Sequence, residues 1–251
     1  MSEARSPELD GAPLFLLDEL PPGDDLLVAG PEGRHAVDVL RLTPGEWVRV
    51  GDGRGTVAEG EVAAAGPEGL LVRVQTRLEV PPSEPRLVLV QALPKGDRGP
   101  LAVELATELG VDRIVPWAAS RCVTRWRDDR IAKGVAKWRA AAHAASKQSR
   151  RPRVPEIAEL ASTREVCGEL AEVDLAVVLH EQARARISAV DVPTEGTVAI
   201  VVGPEGGLTD GEVVAFRAAG AEPVRLGPEV LRTSTAGAAA LAAISLRTRW
   251  R

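Results

Sequence analysis

Apolar and polar positions follow different patterns in the two parts of the chain. Up to about residue 80, short apolar segments are separated by turns rich in Gly, Pro and Asp; they include residues 47–50, 60–63 and 70–74. This spacing predicts a small β-rich domain and favours a small barrel. Asp52-Gly53 predicts a hairpin turn, and residues 35–40 predict one helix before these strands.

The pattern changes after residues 80–85, VPPSEP, where three prolines disfavour both a helix and a central strand. This linker divides the chain into predicted domains 1–80 and 81–251. Strands and helices then alternate, which predicts an α/β domain with a mostly parallel sheet. The predicted strands are 86–93, 114–115, 174–180, 198–202 and 223–226, and a long helix is predicted from about 128 to 148.

Two predicted helices have distinctive faces. Leu101, Leu105 and Leu109 fall on one face of a helix that Gly110 is placed to end. The closing helix, about 234–247, is crowded with small residues that allow close approach of backbones. The pattern leaves open whether it packs in the core or in a dimer interface.

Two glycine-containing loops follow predicted strands. Residues 203–207, GPEGG, follow the buried strand 198–202, and a helix capped by Thr209 and Glu212 follows them. Residues 227–229 form the second loop. Such loops at neighbouring strand ends are typical of a pocket at the carboxyl edge of a parallel sheet, although ordinary βα turns would have the same pattern. The tetrapeptide GPEG occurs three times, so only its context is informative.

Composition is ordinary for a globular protein: of 251 residues, 45% are hydrophobic and 27% are charged. No apolar run reaches the roughly 18 residues of a membrane span, and the acidic beginning lacks the pattern of a signal peptide. Cys122 and Cys167 match no metal or redox spacing. We therefore expect a cytoplasmic protein with no membrane and no metal.

The charge is unevenly distributed. The net charge is −5, yet residues 130–153 contain eight Lys or Arg and no Asp or Glu. A local basic stripe can attract phosphate at one surface and favours RNA slightly. A solvated helix face is the alternative.

Six motifs occur in order along the chain: QALPKGDR, ELATELGVDRIVPW, KWRAAAHAASKQSRRPRVPEI, LHE, VGPEGGLTDGEV and LGPEVLRTSTAGAAALAAI. Together they resemble the RsmE family of small-subunit rRNA methyltransferases, of the SPOUT superfamily. HAVDVLRLTPGEWVRVGDG resembles that family's N-terminal PUA-like RNA-binding domain. The resemblance implies S-adenosylmethionine-dependent methylation of N3 of one uridine in the decoding region of 16S rRNA, in the small ribosomal subunit. It also implies a trefoil knot in the C-terminal domain and a homodimer.

The resemblance places S-adenosylmethionine among three loops. The residues expected to bind this cofactor are Leu179, His180, Glu181, Val202, Gly203, Pro204, Glu205, Gly206, Gly207, Leu226, Gly227, Leu231, Arg232, Thr233, Ser234, Thr235 and Ala236. Glycines let main-chain groups meet the adenine edge and ribose, and the leucines offer apolar surface to the adenine faces.

Two residues are candidates for catalysis. Uridine N3–H is a weak acid, so its methylation needs a base or stabilisation of the developing anion. Arg232 is the candidate stabiliser of negative charge on the uracil oxygens. Glu205 is the candidate base, although it could equally accept from backbone N–H groups in its own loop. His180 and Glu181 could simply shape their loop.

The candidate RNA-binding residues are basic or polar: Lys147, Gln148, Arg150 and Arg151, with Arg34, His35 and Arg41 in the N-terminal domain. His35 has a structural alternative. The chain has no Tyr and only two Phe, which limits base stacking and favours recognition of shape and phosphate in assembled subunits.

Other functions compete with this hypothesis. One is a SPOUT methyltransferase with another target, such as a ribose 2′-hydroxyl or a tRNA base. Another is a non-catalytic RNA-binding assembly factor, against which the intact GPEGG and LRTSTA loops argue. A nucleotide hydrolase is disfavoured because no G-x-x-x-x-G-K-[ST] phosphate loop is present.

Overall fold

The computed structural model describes residues 11–251, which form two compact units. The first comprises the chain up to Pro82 together with Ser146–Val154. The second comprises Ser83–Ala145 and Pro155–Arg251. Each unit has its own sheet.

The first unit contains a five-stranded sheet in the order β1-β3-β4-β5-β2. Its strands are β1 Leu14–Leu16, β2 Asp25–Val28, β3 Trp47–Gly51, β4 Thr56–Gly66 and β5 Gly69–Glu79. β1 pairs with β3 in parallel and the other pairs are antiparallel. Buried Phe15, Leu26, Val48, Leu70 and Val72 form its core. The predicted β-rich N-terminal unit is confirmed.

Local features of this unit follow from its turn residues. Asp52 lies between antiparallel β3 and β4, where its Oδ1 accepts from the N–H of Arg54 (2.7 Å) and Thr56 (3.1 Å). The predicted hairpin is therefore confirmed. Helix α1, Gly30–Arg34, continues into a π-helical segment, His35–Val39. The helix thus begins earlier than predicted, with a proline in its first turn, where no N–H is needed.

The second unit contains a seven-stranded sheet in which every recorded ladder is parallel. Its strands are β6 Arg86–Ala92, β7 Arg113–Trp117, β8 Glu156–Ile157, β9 Leu175–Leu179, β10 Ala185–Arg186, β11 Thr197–Val202 and β12 Glu222–Arg225. Their order is β10-β12-β9-β11-β6-β7-β8. The central strand β11 is buried nearly throughout, as its apolar run requires. The predicted α/β fold with a mostly parallel sheet is confirmed.

Five helices accompany this sheet: α2 Arg98–Glu108, α3 Asp129–Gln148, α4 Thr163–Leu170, α5 Asp210–Ala218 and α6 Thr233–Ser245. The segment between β5 and β6, in which the linker was predicted, has no regular structure. No helix within residues 11–251 is long and apolar enough to span a membrane. In the same part of the chain, no cluster of three His, Cys, Asp or Glu is arranged to bind a metal.

The leucine face predicted for α2 is not its buried face. Leu101 is 43% exposed, whereas Ala102, Val103 and Ala106 are at most 3% exposed. The small residues are buried because α2 packs against α6, which is itself rich in small side chains. Because α2 and α6 pack closely, small residues and not leucines lie at their contact.

Helix α6 packs in the core of its own unit. Most of its residues are buried, and a Cβ added at Gly237 would lie 3.0 Å from the Leu89 side chain of β6. The small residues therefore let α6 lie close against the sheet. Of the two alternatives that the sequence left open, the structure shows the core.

Candidate active site

Three loops meet at one edge of the second sheet. β12, β9 and β11 are adjacent and parallel, so their carboxyl ends lie side by side. The loops that follow them begin at His180, Gly203 and Leu226. Such an edge is where open α/β sheets bind ligands.

These loops enclose a cleft of about 610 Å³. Most of the predicted cofactor residues line it: Leu179, His180, Glu181, Val202, Gly203, Pro204, Glu205, Gly206, Gly207, Leu226, Gly227, Leu231, Arg232, Thr233 and Ala236. Ser234 and Thr235 do not; Ser234 is buried in α6 and Thr235 is exposed. The cleft also includes residues that were not among the predicted cofactor residues: Arg121, Gln182, Leu208, Asp210, Arg225, Glu229 and Val230.

The glycine loop, residues 203–207, is shaped by its backbone. The N–H of Gly207 donates to the carbonyl of Pro204 at 2.9 Å, and Gly207 has a φ of +71°. A Cβ at Gly206 would lie 3.0 Å from Cβ of Arg121 and 3.1 Å from its carbonyl oxygen. Side chains at these positions would strain or displace the loop, so the glycines are needed for its conformation.

Arg121, at the start of the loop between β7 and α3, holds the glycine loop in place. Its Nη1 donates to the carbonyl oxygens of Gly206 (3.2 Å) and Leu208 (3.1 Å). These contacts connect the glycine loop to the loop between β7 and α3. No sequence pattern pointed to Arg121, because it lies 85 positions before Gly206 in the chain.

Replacing Arg121 with Ala is expected to weaken binding of S-adenosylmethionine about tenfold. Two charge-assisted hydrogen bonds to the loop would be lost, although solvent partly compensates for exposed ones. Isothermal titration calorimetry would measure the affinity, with Arg217→Ala on the outer face of α5 as control. An unchanged affinity for Arg121→Ala would show that the loop holds its shape without this side chain.

Glu212 connects the helix after the glycine loop to the β7–α3 loop. The predicted capping box is confirmed: the N–H of Thr209 donates to Glu212 Oε2 at 2.8 Å, and α5 follows. Glu212 Oε1 also accepts from the N–H of Ser120 at 2.8 Å. Burial acts to raise the pKa of the Glu212 carboxyl, but the hydrogen bonds from Ser120 and Thr209 outweigh burial, and the pKa lies below its ordinary value of 4.5.

The lowered pKa predicts a loss of stability in acid. The folded state stabilises the ionised form of Glu212 relative to the unfolded state. The carboxylate therefore makes its full contribution to the free energy of unfolding above about pH 4.5, and this contribution is lost as the pH falls through the pKa of Glu212 in the folded protein. Glu212→Gln should cost about 1–2 kcal/mol at pH 7, since an amide nitrogen cannot accept from Thr209.

Urea unfolding between pH 7 and pH 3 tests this. The wild type should lose more stability than Glu212→Gln across that range. Glu165→Gln removes the corresponding carboxylate from the exposed capping box of α4 and serves as control. Parallel pH profiles for wild type and Glu212→Gln would contradict the assignment.

Glu205 binds to a neighbouring loop rather than to its own. Its Oε1 accepts from the N–H of Lys95 at 3.0 Å and lies 3.9 Å from Nη1 of Arg98. The sequence left open whether this carboxylate is a base or accepts backbone N–H groups of the glycine loop. Its partners are Lys95, in the segment between β6 and α2, and Arg98, the first residue of α2, while Glu205 itself still lines the cleft.

Arg232 lies at the N-terminal boundary of α6 and lines the cleft. It is exposed, and its guanidinium makes no ion pair within residues 11–251. A free cation at the wall of a cleft is available to an anionic group there.

His180 organises the first of the three loops. Its N–H donates to the carbonyl of Val224 in β12 at 2.9 Å, and its Nδ1 accepts from the N–H of Gln182 at 3.1 Å. The first bond holds the loop against the neighbouring strand, and the second lies within the loop itself. Partly buried Leu179 and Leu226, with Leu231, supply apolar surface around it.

The predicted RNA-binding residues all fall in the first unit. Part of this unit is the segment Ser146–Val154, which contains Lys147, Gln148, Arg150 and Arg151. The rest of the unit contains Arg34, His35 and Arg41. Lys147 Nζ binds Glu32 Oε1 of α1 at 2.6 Å, directly before Arg34 and His35. Arg34, His35, Arg41, Gln148 and Arg150 are exposed. The structure therefore brings together candidates more than 100 positions apart.

The basic run 130–153 carries less free charge than its sequence indicates. At least five of its eight cations pair with acids that lie outside the run: Lys133 with Asp129, Lys137 with Asp97, Arg139 with Glu159, Lys147 with Glu32 and Arg153 with Glu79. Counting cations along the chain could not reveal these partners.

Comparison with known families gives two matches. A family model described as an RNA methyltransferase domain matches residues 81–245. A second, described as an RNA methyltransferase PUA domain, matches residues 28–75.

Individual relatives agree with these models. Ribosomal RNA small subunit methyltransferase E of Mycobacterium bovis is 46% identical over 245 residues, which cover 95% of this chain and 94% of the relative. The Bacillus subtilis protein of the same name is 30% identical, with 88% and 90% covered. The crystal structure of a ribosomal RNA small subunit methyltransferase E from Neisseria gonorrhoeae, bound to S-adenosyl methionine, aligns with a TM-score of 0.81 and 27% identity over 94% of this chain and 98% of that chain.

Proposed function

Since the chain belongs to the ribosomal RNA small subunit methyltransferase E family of RNA methyltransferases, we propose that it transfers a methyl group from S-adenosylmethionine to N3 of one uridine in the decoding region of 16S rRNA. The observation that carries the proposal is the cleft where three loops of a parallel sheet meet, with Arg232 exposed in its wall. The resemblance supplies the particular uridine and atom.

The residues of the cleft fit S-adenosylmethionine. A Cβ at Gly203 would lie 2.9 Å from the Leu208 side chain, so the loop there has room only for backbone, whose polar groups suit the adenine edge and ribose. Leu179, Leu226 and Leu231 provide apolar surface suited to a purine. The bound cofactor would supply an activated methyl group on its sulfonium. What remains for the protein is to hold the two substrates in line.

The cleft residues have separate roles in this reaction. Arg232 stabilises the negative charge that develops on the uracil oxygens as N3 loses its proton. Glu205 is the candidate acceptor of that proton, and its hydrogen bond from Lys95 fixes the orientation of the carboxylate. His180 holds its loop in shape.

RNA binding is assigned to the first unit. Exposed Arg34, His35, Arg41, Gln148 and Arg150, with Lys147 and Arg151, form the proposed phosphate-binding surface. We also propose a homodimer, a trefoil knot in the second unit and a cytoplasmic location, all three from the family resemblance.

Transfer of a labelled methyl group tests which RNA is the substrate. Small ribosomal subunits from cells that lack the modification would be incubated with the protein and labelled S-adenosylmethionine, in parallel with large subunits and tRNA. We expect label in the small subunit alone, and none in subunits that are already modified. Label in tRNA would indicate another target. If the protein neither bound the cofactor nor labelled any RNA, a non-catalytic RNA-binding factor would be indicated.

A further inference from the structure

A second basic surface lies beside the cleft, in the segment that connects β7 to α3 and in the first two residues of α3. We call residues 118–130 the arginine loop. Arg121 at its beginning lines the cleft, and Arg125, Arg127 and Arg130 follow within nine positions. All four side chains are exposed. No motif indicated Arg125 or Arg127, and Arg130 was noted only as the first cation of the run 130–153. The reaction described above uses none of the three.

The last three cations of this loop differ from those farther along α3, because Lys133, Lys137, Arg139 and Lys147 all form ion pairs. Arg127 and Arg130 have no ion pair within the described part of the chain, and Arg125 donates only to the Ser120 carbonyl, at 3.4 Å. Lys133 pairs with Asp129 at 2.7 Å. Asp128 is the other acid of the loop, so Arg125, Arg127 and Arg130 together with Asp128 carry a net charge of +2.

The arginine loop is fixed to the body of its unit. Thr124 Oγ1 donates to the Pro94 carbonyl at 2.8 Å. The Trp126 ring packs edge to face on buried Trp138 of α3, and the two ring centroids are 5.4 Å apart. A Cβ at Gly134 would lie 2.5 Å from Trp126, so the ring rests on the helix backbone. The loop is thus pre-organised, which reduces the entropic cost of binding.

We propose that the arginine loop binds the phosphate backbone of the substrate RNA next to the nucleotide in the cleft. Guanidinium groups bind phosphate through paired hydrogen bonds, and phosphate contacts set the position of a strand. Arg121 connects the loop to the glycine loop, so a strand bound there is aligned with the cleft. This inference rests on the proposed function and adds an RNA-contacting surface in the second unit.

The double variant Arg127→Gln/Arg130→Gln tests the proposal. Filter binding to unmodified small subunits at several salt concentrations should show affinity reduced about tenfold, as for the loss of two exposed ion pairs. The slope of log affinity against log salt should fall in magnitude by about 1.5. Affinity for S-adenosylmethionine, measured by calorimetry without RNA, should be unchanged.

A matched control separates this effect from the loss of charge alone. Arg164→Gln/Arg217→Gln removes from α4 and α5 two exposed arginines that make no ion pair within residues 11–251, and it should change subunit binding less than twofold. Equal effects of the two double variants, or unchanged binding by Arg127→Gln/Arg130→Gln, would overturn the proposal. If the wild type neither binds nor methylates subunits, the proposed function itself fails.

Crosslinking gives a positional test. Val123 in the arginine loop and Val214 in α5 are 68% and 67% exposed, so each can carry a photoreactive benzoylphenylalanine. Irradiation with small subunits should crosslink rRNA to position 123 and not to position 214. Crosslinks from position 123 to a ribosomal protein alone would assign the loop to a protein partner and contradict the proposal.

Discussion

Arg232→Ala is expected to lower the turnover number about 10²–10³-fold while binding of cofactor and of small subunits stays within a few-fold of wild type. The exposed guanidinium lines the cleft without an ion pair in residues 11–251, so its charge is available to the reacting base. Methylation under single-turnover conditions measures the chemical step.

Two further variants give this prediction its control. Arg232→Lys keeps the charge but not the planar fork, and should recover part of the rate. Arg217→Ala removes an exposed arginine from α5 and should behave as wild type. If Arg232→Ala lost subunit affinity in proportion to its rate, Arg232 would be an RNA-binding residue and not a stabiliser of the anion.

Gly207→Val is expected to weaken S-adenosylmethionine binding about thirtyfold or more. Gly207 has a φ of +71°, and a β-branched residue there costs about 2 kcal/mol unless the backbone changes conformation. A changed backbone would break the turn that Gly207 closes with Pro204 and move the loop that lines the cleft.

Gly220→Val is the matched control for this strain. Gly220 has a φ of +90°, lies beyond the end of α5 and has open space around its missing Cβ. Both variants should lower the thermal midpoint by similar amounts, but only Gly207→Val should lose cofactor affinity in calorimetry. Equal loss of affinity in both would mean that general destabilisation, and not the shape of the glycine loop, governs binding.

The sequence predicted those parts of the site that depend on local pattern. The apolar run 198–202, the glycines after it and the Thr209–Glu212 capping box are contiguous, and each has a defined conformational consequence. The pattern of apolar residues does not give the order of the strands in the sheet. A parallel sheet was nevertheless enough to predict that the loops after its strands lie at one edge.

Residues that act across the chain could not be predicted in this way. Arg121 reaches Gly206 only because β7 and β11 end at the same edge of the sheet, a relation set by strand order. The charge run 130–153 overstated free positive charge because most of its cations pair with acids, several of them distant in the chain. The buried face of α2 is not its leucine face, because α2 packs against α6, where only small side chains allow close contact.

The chemical identity of the product tests the central claim most directly. Small subunits methylated by the wild-type protein would be digested to nucleosides and separated by liquid chromatography with mass spectrometry, beside synthetic standards of the isomeric methyluridines. We predict one labelled product that co-elutes with 3-methyluridine and is nearly absent with Arg232→Ala. Label in a 2′-O-methyl nucleoside, or in any base position other than uridine N3, would contradict the account.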